Sequence, residues 1–326
     1  MDHWQRIETS LAGGKPDRIP VSLWKHFPDD DRDVGMLVEH TLTWQRKWQF
    51  DLVKFMPSGT YGVEDWGAET AYEGAWNGAR SVVKTVVRDA DQWATLRRLD
   101  VTKGCYAQQN EALRHVAKAL GGRTPLLQTV FSPLTTARKL AGDRVFTDLR
   151  CSPDALELGL RTITDVTIEF CLAAVEAGAH GFFFASQMAS SRLLSAAEYE
   201  RFGRPYDLEI FDALQGKVRL NMLHAHGDDI MFPLLAGYPV EMFNWHDRIT
   251  KPGLRQASTQ FHKILVGGLN EHATVLRASP EHVAAEVRDA IDQTNGERLM
   301  IGPGCVLPLA TPDENIRAVL CAVEAF

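Results

Sequence analysis

The sequence predicts a single α/β domain, a (β/α)8 TIM barrel spanning residues 1–326, and three observations carry that prediction. Eight short and nearly continuous apolar runs recur along the 326 residues, the pattern of parallel strands buried on both faces. Stretches of helical periodicity separate them. Neither G-x-G-x-x-G nor G-x-x-x-x-G-K-[ST] occurs, so the glycine-rich first turn often found in the competing doubly wound sheet is missing.

The runs lie at 19–24 (IPVSLW), 52–56 (LVKFM), 126–131 (LLQTVF), 181–185 (GFFFA), 218–223 (VRLNML), 240–245 (VEMFNW), 264–269 (ILVGGL) and 298–301 (RLMI). Between the third and fourth, residues 153–177 repeat apolar side chains at three- and four-residue spacing, from Leu156 to Ala177. Ser195 and Glu198 form a capping box that opens the next helix. Ser279-Pro280 and Thr311-Pro312 each put an N-cap residue before a proline at the first helical position. Residues 68–91 break the rhythm. The alternating run Ser81-Val-Val-Lys-Thr-Val-Val87 predicts a small antiparallel β-hairpin inserted after the second strand.

Composition narrows the function classes. Thirty-five Lys and Arg stand against 42 Asp and Glu, a net charge of −7, which argues against a nucleic-acid groove. No stretch approaches 18 apolar residues, so no membrane span is expected. The start, MDHWQR, lacks a basic segment followed by an apolar run, and five scattered cysteines make no disulfide framework. A reducing cytoplasm is the expected location.

In such a barrel the chemistry sits where strands end. The fifth run leads into His224-Ala225-His226, two imidazoles at i and i+2 that point the same way from extended backbone. The eighth leads into Gly302-Pro303-Gly304-Cys305, where two glycines are expected to permit a tight turn and bring a thiol over the mouth. Two His and one Cys with a fourth position open is the donor set of a catalytic zinc site, and sulfur with two nitrogens favours zinc. Single His and Cys residues more often serve as hydrogen-bonded or buried structural groups, which is the competing reading. Lys54 and Asp247 are the candidate catalytic residues. An unpaired lysine is costly in a buried strand, so Lys54 should pair with a mouth carboxylate such as Asp247 or bind an anionic substrate. Trp24, Lys25 and His26 after the first run, Gln187 after the fourth and His246 after the sixth are the candidate substrate-binding residues. Asp247 or Asp228 is the expected group to orient a ligand histidine.

Several segments resemble the uroporphyrinogen decarboxylase superfamily, whose members fold as a single (β/α)8 barrel. They are GKPDRIPV at 14–21, PLLQTVFSPLTTARKLAG at 125–142, the stretch from Gly178 to Arg204-Pro205-Tyr206, HAHGD at 224–228 and GPGCVLPLATPDENIR at 302–317. Within that superfamily the decarboxylase proper meets its many-carboxylate substrate with R-Q-A-G-R after the first strand and an Asp after the second. Here those places read Trp24-Lys25-His26-Phe27-Pro28 and Phe55-Met56-Pro57-Ser58. The corrinoid-dependent methyltransferase branch carries H-x-C after the fifth strand and P-G-C at the eighth, both binding zinc. His224 and Cys305 match, and His226 stands where that branch has cysteine.

The resemblance implies a zinc-dependent methyltransferase that moves a methyl group from a corrinoid, held on a carrier protein, or from a small donor to a thiol-type acceptor. It also implies a homodimer, by analogy with the decarboxylases. The alternatives are a decarboxylase of uroporphyrinogen or a related acid, and a non-catalytic protein that binds a tetrapyrrole or corrinoid.

Overall fold

The computed structural model describes residues 1–324. Among the described residues nine strands form: β1 Val53–Phe55, β2 Glu69–Ala71, β3 Ser81–Lys84, β4 Leu126–Phe131, β5 Gly181–Ser186, β6 Leu220–Ala225, β7 Met242–Trp245, β8 Ile264–Leu269 and β9 Leu299–Pro303. Seven of them build one curled sheet in the order β1-β4-β5-β6-β7-β8-β9, every neighbouring pair parallel, with helices in the connections. The architecture is TIM-barrel-like.

The run at 19–24 forms no strand of its own. Pro20 has no N–H to give to a ladder, and one parallel bridge, Val21 with Ile301, is all that develops. The segment nonetheless spans the two edges of the sheet. Ile301 N donates to Pro20 O (2.8 Å) and Ser22 N to Ile301 O (3.0 Å), while Asp51 N donates to Val21 O (2.8 Å) on the β1 side.

Helices form where the periodicity lies. The longest, Pro153–Glu176, starts with proline in its first turn and buries Leu156, Leu160, Ile163, Val166 and Phe170. Ser195 caps Ala196–Phe202 by the reciprocal bonds of a capping box, Glu198 N to Ser195 Oγ (3.2 Å) and Ser195 N to Glu198 Oε2 (2.8 Å). Ser279 precedes Pro280–Thr294 with extended backbone, but its hydroxyl pairs with His282 Nδ1 (3.0 Å) instead of capping. Within residues 68–91, β2 and β3 pair antiparallel. The alternating run stops being strand at Lys84, because the amides of Val86 and Val87 turn to Leu140 O.

Strand parity sorts the side chains. Phe182, Phe184, Leu223, Phe243, Trp245 and Leu265 pack outward beneath the helices. Phe183, Ala185, Leu220, Met222, Met242, Ile264, Val266 and Met300 fill the interior, with Ile7 of the helix His3–Leu11 closing the floor. Two interior columns therefore rise toward the C-terminal end: Met222, His224, His226 and Met242, Asn244, His246. Among the described residues no helix is long and apolar enough to cross a membrane, and all five cysteines are free.

Candidate active site

The two columns meet β9 at the mouth. One ligand atom from each of His224, His226, His246 and Cys305 lies within 4.8 Å of the others. His246 Nε2 is 3.3 Å from His226 Nδ1, and Cys305 Sγ is 3.7 Å from that same nitrogen. Both separations are close to the edges that a tetrahedral zinc site would have, about 3.3 Å between nitrogens and about 3.6 Å between nitrogen and sulfur for Zn–N near 2.0–2.1 Å and Zn–S near 2.3 Å. The side chains are close enough to share one ion without rearrangement of the strands.

The surroundings prepare the donors. His224 and Asn244 are cross-strand partners in the β6–β7 register. Asn244 Nδ2 donates to Val266 O and Pro303 O (both 2.9 Å), which fixes the amide so that Oδ1 faces His224 Nδ1 at 2.6 Å. An amide oxygen accepts only, so His224 carries its proton on Nδ1 and keeps Nε2 as a lone pair. Burial holds His224 well below the usual imidazole range and lowers His226 as well, which favours the neutral, ligating form. Phe183 stacks on His224 with centroids 5.1 Å apart.

Glu271 follows β8 in the short turn Glu271–Val275, started by Asn270, whose Oδ1 accepts from His272 N and Ala273 N. Its Oε2 accepts from Gly304 N (3.1 Å), and its Oε1 stands 3.5 Å from His246 Nδ1. Burial acts to lower the His246 pKa, but the Cys305 sulfur and the Glu271 carboxylate raise it to about 9. Gly302 and Gly304 serve close approach, not the tight turn expected of them. Neither has positive φ, and a Cβ on Gly304 would come 2.9 Å from His246 Cα. The thiol reaches the ligand group because β7 and β9 can touch there.

A cavity of about 530 Å³ opens beside this group, and His224, His226 and Cys305 form part of its wall. His246, expected to bind substrate, does not line it; its ring joins the His/Cys group that could hold a metal ion. Trp24, His26, Lys54 and Gln187 do line the cavity. Lys25 does not; its ammonium lies 5.2 Å over the Trp44 ring, on the helix side. Asp247 is also away from the cavity. Its Oδ1 accepts from Gly268 N (3.0 Å), Arg248 approaches to 3.7 Å, and burial pushes its pKa up to about 7. No ion pair joins Lys54 to Asp247 among the described residues. Lys54 bonds instead to the Met56 thioether and lies 4.2 Å over the Phe183 ring. Asp228 pairs with Arg192 (3.4 Å) at the surface and does not orient a ligand histidine.

Three residues outside the expected set complete the site: Asn244, Glu271 and Lys139. Asn244 and Glu271 carried a readable signal, a polar residue two before His246 in a buried run and a carboxylate just past the end of another. Lys139 carried none, because it projects from the helix Pro133–Ala141.

Comparisons with known proteins bear on the family and the fold. A methylcobamide:CoM methyltransferase, MtbA of Methanosarcina acetivorans, is 24% identical over 245 residues, 74% of this chain and 70% of its own length. MtaA of Methanosarcina barkeri is 26% identical over 218 residues, 66% of this chain and 62% of its own. A uroporphyrinogen decarboxylase of a Geobacter species is 26% identical over 224 residues, 65% of this chain and 63% of its own. Among solved structures, a methyltransferase from Methanosarcina mazei superposes with a TM-score of 0.88 over 100% of this chain and 99% of that one, at 20% identity. The family model described as "Uroporphyrinogen decarboxylase (URO-D)" matches residues 4–326, and the chain belongs to that family.

Proposed function

We propose that the protein is a zinc-dependent methyltransferase that moves a methyl group from a corrinoid, presented by a carrier protein, to a thiol-type acceptor bound in the cavity. The carrying observation is the His/Cys group at the cavity, whose 3.3 and 3.7 Å separations suit an ion held by imidazole nitrogen and thiolate sulfur. The methyltransferase relatives named above support the same reaction class. His224, His226 and Cys305 would hold the ion at the cavity wall and leave its fourth position to the acceptor's sulfur, with His246 close behind them. Zinc there supplies the Lewis acidity that keeps a coordinated thiol ionised at neutral pH.

The chain's own residues do the rest. Asn244 fixes the tautomer of His224. Glu271 holds the His246 ring and the Gly304 amide together, so the β7 and β9 contributions stay in register. Phe131, Phe183, Met56 and Met188 give the cavity apolar walls that exclude water. A carrier would dock over the mouth, where the cavity opens, and a homodimer is part of the same reading.

Elemental analysis of protein purified without a metal-affinity tag tests this directly. About one zinc per chain is expected, lost in a Cys305→Ser/His224→Ala double variant, together with transfer from methylcobalamin to a small thiol by the wild type alone. Protein with no metal in either form would make the four residues structural and end the proposal.

A further inference from the structure

We infer that the molecule accepted beside the ligand group is a compact dianion, with one acid group held by Lys54 and a second by Lys139. The inference rests on the reading of this cavity as the acceptor's site, and it goes beyond that reading by fixing the acceptor's charge.

The charge pattern of the cavity is the starting point. The chain as a whole is acidic, at −7. Yet the cavity is lined by Lys54, Arg80, Arg138 and Lys139 and by no Asp or Glu. The two arginines already have partners. Arg138 donates to Asp143 Oδ1 (2.9 Å), and Arg80 lies 3.9 Å from Asp29 and donates to Thr70 O. The two lysines have no carboxylate partner among the described residues. Lys54 is 7% exposed, with the Met56 thioether and the faces of Phe183 and Trp24 as its neighbours. Lys139 donates to Gly59 O (2.6 Å) and lies 3.1 Å over the Phe131 ring.

An ammonium group taken from water and given only a thioether, a carbonyl or a ring face is under-compensated. Burial accordingly lowers both lysines, Lys54 to about 7. An acid group in the cavity would supply the missing counter-charge at each. The two lysines are also held apart: Lys54 lies 4.2 Å over Phe183, the ring that stacks on His224, and Lys139 lies 3.1 Å over Phe131. His26 lies within the influence of both and is held neutral, at about 3, by burial and then by the two positive charges. One monoanion would answer one ammonium group and leave the other unpaired. A diacid, or a single dibasic head such as a phosphonate spanning the two, answers both.

The test uses matched probes on the full chain. With chelator-treated protein, succinate and propionate compare two acid groups with one in the absence of a thiol. With zinc-loaded protein, mercaptosuccinate, 3-mercaptopropionate and 2-mercaptoethanol do the same with a thiol present, and ethylphosphonate reports the single dibasic head. Titration calorimetry should show each diacid binding at least tenfold more tightly than its monoacid. Lys54→Met and Lys139→Met should each reduce the diacid to the monoacid's affinity, and Lys54→Arg, which keeps the charge, should retain most of the preference. Equal affinity for diacid and monoacid, or a preference that survives both Met variants, would overturn the inference. Failure of zinc to bind with the succinate preference intact would remove the metal reading and leave this one standing.

Discussion

The two ends of the barrel handle buried charge in opposite ways. At the N-terminal end, the fully buried Asp51 accepts from Arg6 (2.6 Å), Arg18 (2.7 Å), His3 (3.0 Å) and the Val21 amide (2.8 Å), and Arg6 is held from its other side by Asp17. Each charged group of that network has a partner of opposite sign. At the C-terminal end, two ammonium groups have no counter-charge and four ligand atoms face one another across a few ångströms. A saturated network fixes a fold, and an unsaturated one is prepared to receive something. The contrast locates function within one continuous sheet.

The comparison can be broken most severely at Asp51. Asp51→Ala would leave Arg18 without a carboxylate and Arg6 with Asp17 alone, and a loss of about 3–5 kcal/mol in denaturant unfolding is expected. Zinc content, measured on the folded fraction, should be unchanged; a variant that loses metal without losing stability would dissolve the distinction between the ends. Against the cost of burying it, the His3 and Arg18 contacts hold the Asp51 carboxyl below its ordinary range. Its contribution is therefore full above about pH 4 and fades as pH falls further.

At the other end the signs reverse. Asn244→Ala removes the group that orients His224, and zinc affinity should fall about 10–100-fold in competition with a chromophoric chelator while the melting temperature of the metal-free protein moves little. Lys54→Met replaces an under-compensated charge with an apolar chain of similar length and should stabilise the ligand-free protein by about 1–2 kcal/mol, the mark of a residue kept for binding. Unfolding of the variant at lower denaturant than wild type would mean that Lys54 is already compensated.

A smaller effect concerns Asp207, which is neither at the floor nor at the mouth. Its Oδ2 accepts from Tyr199 (2.8 Å) and Tyr238 (2.9 Å), its Oδ1 has no partner, and burial pushes its pKa up to about 7. A carboxyl that holds its proton more tightly when folded lowers stability as pH rises from about 4 to about 7, beyond which the loss is constant. Asp207→Asn keeps both tyrosine bonds and should flatten that slope, by about 1 kcal/mol between pH 5 and pH 6. An unchanged slope would show that Asp207 is ionised in the folded protein.

Much of this was legible in the sequence, and the boundary of legibility has a physical reason. Seven of the eight apolar runs became parallel strands, because a run buried on both faces needs no partner to be recognised. The convergence of His224, His226 and Cys305 was readable from position alone, since i and i+2 on extended backbone share a side and strand ends converge. His246 sits on the same parity as Asn244 and was readable as a mouth residue, but its closeness to His224 and His226 depends on the β6–β7 register, which no local pattern encodes. The same register decides Asn244. Lys25 and Asp247 were misplaced for a related reason: each adjoins a mouth residue in sequence and therefore points to the opposite side.

The segment around β2 and β3 supplies Asn77, Arg80 and Val82 to the cavity wall and none of the His/Cys group. It pairs only with itself as a sheet, outside the parallel order of the barrel. Container and contents are thus encoded separately. Replacing residues 69–84 by a segment of another shape would leave the ligand group where it is and change which guests fit beside it, so one scaffold can be re-addressed to a new molecule by exchanging about sixteen residues that never touch the chemistry.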